Sequence, residues 1–155
     1  MDIVPFEGIG ELRLGDPVST IRSKLGEAGK ERYYPQVCMH QIWFASRGIL
    51  CAFNPDHQLI WLTVQCAGND LHLNNQKISW ETLPGIVSGM NSRYVVGWDS
   101  TGTTTLFALS LGLEFNSKSS DPFSLSSVRA FDRKGWAKET EHPDLMVSQF
   151  GTQID

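Results

Sequence analysis

The sequence predicts an α+β protein made of two tandem units, each a short helical segment packed on an antiparallel β-meander, the two forming one compact body. Three observations point there. Apolar runs are separated by turn residues, each half carries one helix start, and landmarks recur at a spacing of about 60 residues.

The alternation Ile9, Gly10, Glu11, Leu12, Arg13, Leu14 reads as a short strand with Leu12 and Leu14 on one face. Asp16 then precedes Pro17, the pattern of an N-cap and a first helical proline. Val18, Ile21 and Leu25 follow on one stripe until Gly26 stops the helix. Three apolar runs come next, Gln41 to Ala45, Ile49 to Phe53 and Leu59 to Gln65. Ser46 to Gly48 and Asn54 to His57 separate them, as expected of an antiparallel meander.

The second half repeats the order. Leu71 and Leu73 stand 59 residues after Leu12 and Leu14, and Phe115-Asn116 restates Phe53-Asn54 62 residues on. Ser79 is the expected N-cap of a helical segment through Met90, which Pro84 and Gly85 divide into two pieces. Strands are expected around Arg93 to Trp98, Thr103 to Ser110, Leu113 to Phe115 and Ser124 to Phe131. The divisions are thus residues 1–68, the first repeat, residues 69–132, the second, and residues 133–155, a polar C-terminal tail pinned by Trp136, Leu145, Met146 and Phe150.

Composition bounds the function. The chain has 155 residues, of which 41% are hydrophobic and 10% aromatic, enough to bury a core. Thirteen Lys and Arg against seventeen Asp and Glu leave a net charge of -4, which argues against a general nucleic-acid binder. No basic stretch followed by an apolar run opens the chain, and no run reaches the roughly 18 apolar residues that cross a bilayer, so a cytoplasmic protein with no membrane partner is expected. Cys38, Cys51 and Cys66 read as buried free thiols.

No catalytic or cofactor signature emerges. His40, His57, His72 and His142 are scattered, and Cys38 with His40 makes only half of a closed zinc site. No G-x-S-x-G elbow occurs, and Gly8-Ile9-Gly10 lacks the third glycine and following helix of a dinucleotide loop. The expectation is therefore a protein that is not an enzyme and needs neither cofactor nor metal. Leu59 to Val64 is apolar on both alternating faces, so something must cover the second one: the other repeat, the tail or a partner.

The strand-to-helix motif Glu11, Leu12, Arg13, Leu14, Gly15, Asp16, Pro17, followed by a short helix and a Trp- and Phe-containing meander, resembles the tandem α/β repeat of the β-lactamase-inhibitor-protein type. The layout is also similar to that of small bacterial immunity proteins that neutralise toxins exchanged between competing cells. That resemblance implies a non-catalytic protein that blocks a cognate toxin by direct binding. The acidic balance narrows the expected toxin to a basic enzyme such as a nuclease. An adaptor or chaperone for a secreted effector, or an enzyme of unrecognised type, is the alternative. Large or acidic side chains in or beside the expected loops, Tyr33, Tyr34, Asp56, Trp98 and Asp99, are the candidate partner-binding residues.

Overall fold

Short apolar runs between turn residues fold as strands. The computed structural model describes residues 1–27, 29–98, 103–118, 120–139 and 153–154; for Trp98, Pro122, Glu139, Gln153 and Ile154 only the backbone is described. In chain order the first half holds β1 (Asp2–Val4), β2 (Gly8–Ile9), β3 (Leu12–Arg13), α1 (Val18–Leu25), β4 (Lys30–Tyr34), β5 (Met39–Phe44), β6 (Ile49–Phe53) and β7 (Leu59–Gln65). The second holds β8 (His72–Leu73), β9 (Gln76–Lys77), α2 (Leu83–Gly89), β10 (Tyr94–Trp98), β11 (Thr104–Ala108), β12 (Leu113–Lys118) and β13 (Asp121–Phe131). Then come α3 (Arg133–Glu139) and β14 (Gln153–Ile154).

These strands form two sheets. The large one runs β14-β10-β11-β12-β13-β7-β6-β5-β4 and is antiparallel throughout. The small one runs β3-β2-β1-β8-β9, with a single parallel pair, β1 to β8. The meander β4 to β7 therefore meets the meander β10 to β13 through the antiparallel β7–β13 seam, where Val64 faces Val128 and Leu62 faces Ala130.

One face of the large sheet is the core. Leu106, Phe115, Val128, Val64, Ile49 and Phe44 form an unbroken buried row across six strands. The small sheet and the two helices cover that row with Ile3, Ile9, Leu12, Ile21, Leu73, Leu83 and Val87. The described residues form a mostly-sheet α+β body with three short helices. Among the described residues no helix is long and apolar enough to cross a membrane.

Several local expectations are corrected. The stretch from Ile9 to Leu14 is a tight hairpin and not one strand, because Gly10 takes a left-handed φ of 61° and turns the chain. Asp16 does not cap α1. Its carboxylate accepts hydrogen bonds from the Arg13 amide (3.3 Å) and the Lys24 ammonium (3.1 Å), and Pro17 takes the cap position. Pro84 does not split α2 but lies in its first turn, where a missing N–H costs nothing. The strand expected to end at Phe115 continues to Lys118. Past residue 132 the expected polar tail begins as α3, with Trp136 buried as an anchor; Leu145, Met146 and Phe150 lie outside the described residues.

The two-sided apolarity of β7 has a geometric cause. Ala52 pairs with Trp61 but Phe53 pairs with Leu59, so a bulge at Ile60 re-phases the strand. Leu59 and Leu62 both reach the core, while Trp61 and Thr63 face the other side.

The thiols differ. Cys51 is buried and Cys66 half-buried, and desolvation pushes them up to about 12 and about 11, Lys118 opposing at Cys66. Cys38 is exposed, against expectation, because it ends a one-turn 3-10 helix at a left-handed φ of 49°. In native protein at about pH 8, a thiol reagent is expected to modify Cys38 at least ~100-fold faster than the other two, and Cys38→Ser to abolish the fast phase. Two fast thiols would contradict this burial pattern.

Candidate functional site

The face of the large sheet opposite the core holds the most developed side-chain cluster. Register places Phe107, Glu114, Arg129, Thr63, Leu50, Trp43 and Lys30 in one row across it. Arg129 sits at its centre. Its Nε donates to Thr63 Oγ1 (2.9 Å), its guanidinium lies over the Trp61 ring at 4.7 Å, and its Nη1 is 3.7 Å from Glu114 Oε1. Asn116 donates to the same Glu114 oxygen (3.3 Å) and accepts from Thr105 Oγ1 (2.8 Å). Glu114 is largely desolvated, its side chain 10% exposed, and these contacts supply the partners that a buried carboxylate requires.

Helix α3 covers one end of this face. Trp136 packs on Phe131 with ring centroids 5.2 Å apart and donates Nε1–H to the Leu109 carbonyl at 2.8 Å. The Asp132 carboxylate accepts from the Gly135 amide and starts the helix beside Ile60. Between α3 and the β6–β7 turn runs an apolar groove of about 200 Å³, edged by Val37, Pro55, Ile60, Lys134 and Lys138. The tail side of the chain therefore supplies part of the cover that β7 demands. Trp43 and Leu50, neighbours across the β5–β6 ladder, belong to neither buried cluster and stay partly accessible.

At the far end of the sheet, β4 is an edge strand. Glu31 faces the helical side, where it bonds the Arg22 guanidinium of α1 and lies 3.1 Å from His40 Nε2. The Arg22 hydrogen bond holds the Glu31 carboxyl below its ordinary value of 4.5, with His40 adding a smaller contribution against a desolvation that raises it. A carboxyl depressed by folding stabilises above its unfolded pKa, and that contribution disappears as pH falls through the folded value. Acidification from about pH 5 to about pH 3 should therefore destabilise the wild type more than Glu31→Gln, with the difference shrinking in high salt. Equal pH slopes in urea melts of the two proteins would refute the pairing.

Of the five residues singled out from the sequence, three gather at one end of the first meander. Tyr33 is 59% exposed, Asp56 is exposed in the β6–β7 turn, and Tyr34 is half-buried with the Arg32 guanidinium 5.9 Å from its ring. Trp98 ends β10, seven strands from β4, or roughly 33 Å across the sheet. It does not join them. Asp99 lies outside the described residues.

The Arg129 cluster was missed, although a signal existed. Leu113-Glu114-Phe115 and Val128-Arg129-Ala130 each set one charge between two buried apolar residues, which in a strand puts that charge on the opposite face. Cys38 and His40 do not converge with other ligands. Among the described residues no group of three or more His, Cys, Asp or Glu is placed to hold a metal ion.

Comparison with protein-family models, with curated proteins and with solved structures yields no match to any of them, so the face described above stands on its own geometry.

Proposed function

We propose that this chain is a non-catalytic binding protein, and that its role is that of a cytoplasmic immunity protein which neutralises a cognate bacterial toxin by direct contact. The observation that carries the binding reading is the pair Trp43 and Leu50. Two large apolar side chains adjacent on a sheet face, outside both buried clusters and flanked by Trp61, are the composition of an interface core. Around them the polar groups Thr63, Glu114, Asn116 and Arg129 are bonded to one another, a rigid setting that suits recognition.

The finer architecture belongs to the same proposal. Each half runs small hairpin, helix, four-stranded meander, and the large sheet orders the strands β10-β11-β12-β13 then β7-β6-β5-β4, as two copies meeting at their last strands do. This supports a tandem duplication with one unit in residues 1–68 and the other in 69–132. The proposal is not narrowed to a basic nuclease, because a net charge of -4 over the whole chain is too small to select the toxin's charge.

The test is a competition between kin. A strain lacking the gene, grown in contact with its parent, should lose survival, and plasmid-borne protein should restore it where a Trp43→Asp variant that still folds does not. Undiminished survival of the deletion strain would overturn the immunity role, and lowered abundance of a secreted effector in its place would favour the adaptor reading.

A further inference from the structure

We propose that the free edge of β4 is the docking strand for an extended acidic segment of the partner protein, added antiparallel or parallel to the large sheet; this rests on the binding role above and names the chemistry of what is bound. β4 is the last strand of the nine and has no neighbour on its outer side among the described residues. Its burial is minimal: Lys30, Glu31, Arg32 and Tyr33 are all exposed. An edge strand offers a row of backbone donors and acceptors, and alternate side chains of an added strand meet the residues of the edge across the new ladder.

The charge on that edge is one-sided. Glu31 is taken up on the helical side by Arg22 and His40. Lys30 and Arg32 point to the opposite face, and neither has a carboxylate partner among the described residues. A strand laid along β4 thus meets two uncompensated cations on one face, two residues apart, the spacing at which successive same-face side chains of an added strand fall. Acidic residues at alternate positions match it.

Charged edges also serve simply to keep sheets from associating. Guarding alone does not account for the apolar exposure around the end of β4, on the face opposite the cations and in the following turn. Tyr33 is 59% and Val37 64% exposed at the same end of the sheet, leaving apolar surface for the partner's remaining side chains. A single-stranded nucleic acid fits less well, because it would use the two cations but not the row of backbone donors and acceptors along β4, which an extended peptide pairs with in register.

The experiment is a fluorescence-anisotropy titration of the full-length chain with a labelled peptide of about eight residues alternating Glu with Val or Thr. Three comparison probes are used: the same peptide with Gln for Glu, the same with Lys for Glu, and an oligo-dT of similar length. The Glu peptide should bind, the Gln peptide at least about 10-fold more weakly and the Lys peptide not measurably; raising salt from about 20 to about 300 mM should weaken the Glu peptide several-fold. Lys30→Glu with Arg32→Glu should lower its affinity at least about 10-fold, whereas Arg93→Glu, exposed at the far half of the sheet, should not. N-methylation of alternate peptide amides should abolish binding, and bound peptide should slow amide exchange along Lys30–Tyr34. Equal affinity for Glu and Lys peptides, indifference to the double reversal, or preference for oligo-dT would each overturn the inference. Failure here is separable from failure of the immunity role: if the double reversal still protects cells in the kin competition, the edge is not the docking strand although the role stands. If the deletion strain survives unharmed, peptide binding still reports on the edge itself.

Discussion

Phe115→Ala is expected to destabilise the protein by about 3–5 kcal/mol, a large share of the roughly 5–15 kcal/mol that holds a domain folded. Phe115 is fully buried and stands between Leu106 on β11 and Val128 on β13 in the row that continues through the seam to Val64, Ile49 and Phe44. Truncation leaves a cavity lined by residues on three strands whose hydrogen-bonded registers prevent collapse, so both the transfer and the cavity contributions apply. For a chain of this size the melting temperature should fall by about 6–20 °C. Phe115→Leu, which keeps most of the volume, should cost no more than about 1.5 kcal/mol. Urea and thermal melts followed by circular dichroism check both, and a loss below about 1 kcal/mol for the alanine variant would mean that the row is not the core.

Gly8→Ala is expected to cost about 3 kcal/mol or more, on grounds that no count of contacts would reveal. Gly8 pairs with both Val4 and Arg13 at a φ of +151°, and a Cβ placed there meets the Leu12 carbonyl oxygen at 1.9 Å. The obstacle is backbone, so no rotamer change relieves it. The β2–β3 hairpin must open instead, drawing Ile9 and Leu12, 1% and 2% exposed, out of the core. Gly15→Ala supplies the control: its φ is +92° but nothing lies within 4 Å, so only the left-handed strain of about 1–2 kcal/mol applies. Similar losses for the two variants would show that strain, and not close approach, governs position 8.

Much of the large sheet was legible before folding. β5, β6 and β7, and in the second half β10 to β13, are apolar runs between turn residues, and α1 ends at the Gly26 expected. The small sheet was not. β1 and β2 are three and two residues long, below the length at which a period of two is visible, and β1 gains its role only through parallel pairing with β8 from the other half. One signal there was overlooked: Asn74-Asn75, both at left-handed φ, is a two-residue hairpin turn joining β8 to β9. The Asp16 cap failed because a short acidic side chain serves whichever donor the tertiary structure brings close, here Lys24.

The candidate site divides along the same line. Tyr33, Tyr34 and Asp56 could be picked out as loop-proximal residues, and they lie at one end of the first meander, Tyr33 and Tyr34 on opposite faces of β4. Trp98 satisfied the same criterion and lies at the other side of the sheet.

What the sequence determined by itself is local: which stretches are strands, which face of each is apolar, where α1 stops, and a spacing of about 60 residues between like landmarks. These depend on side-chain periodicity and turn chemistry, which act over a few residues. Tertiary structure alone decided that β7 pairs with β13, that Arg129 reaches Thr63 66 residues away, and that β4 ends the sheet with two cations lacking a carboxylate partner among the described residues. Backbone hydrogen bonds pair any strand with any other. The choice among partners is made by the buried row that must close across all of them at once.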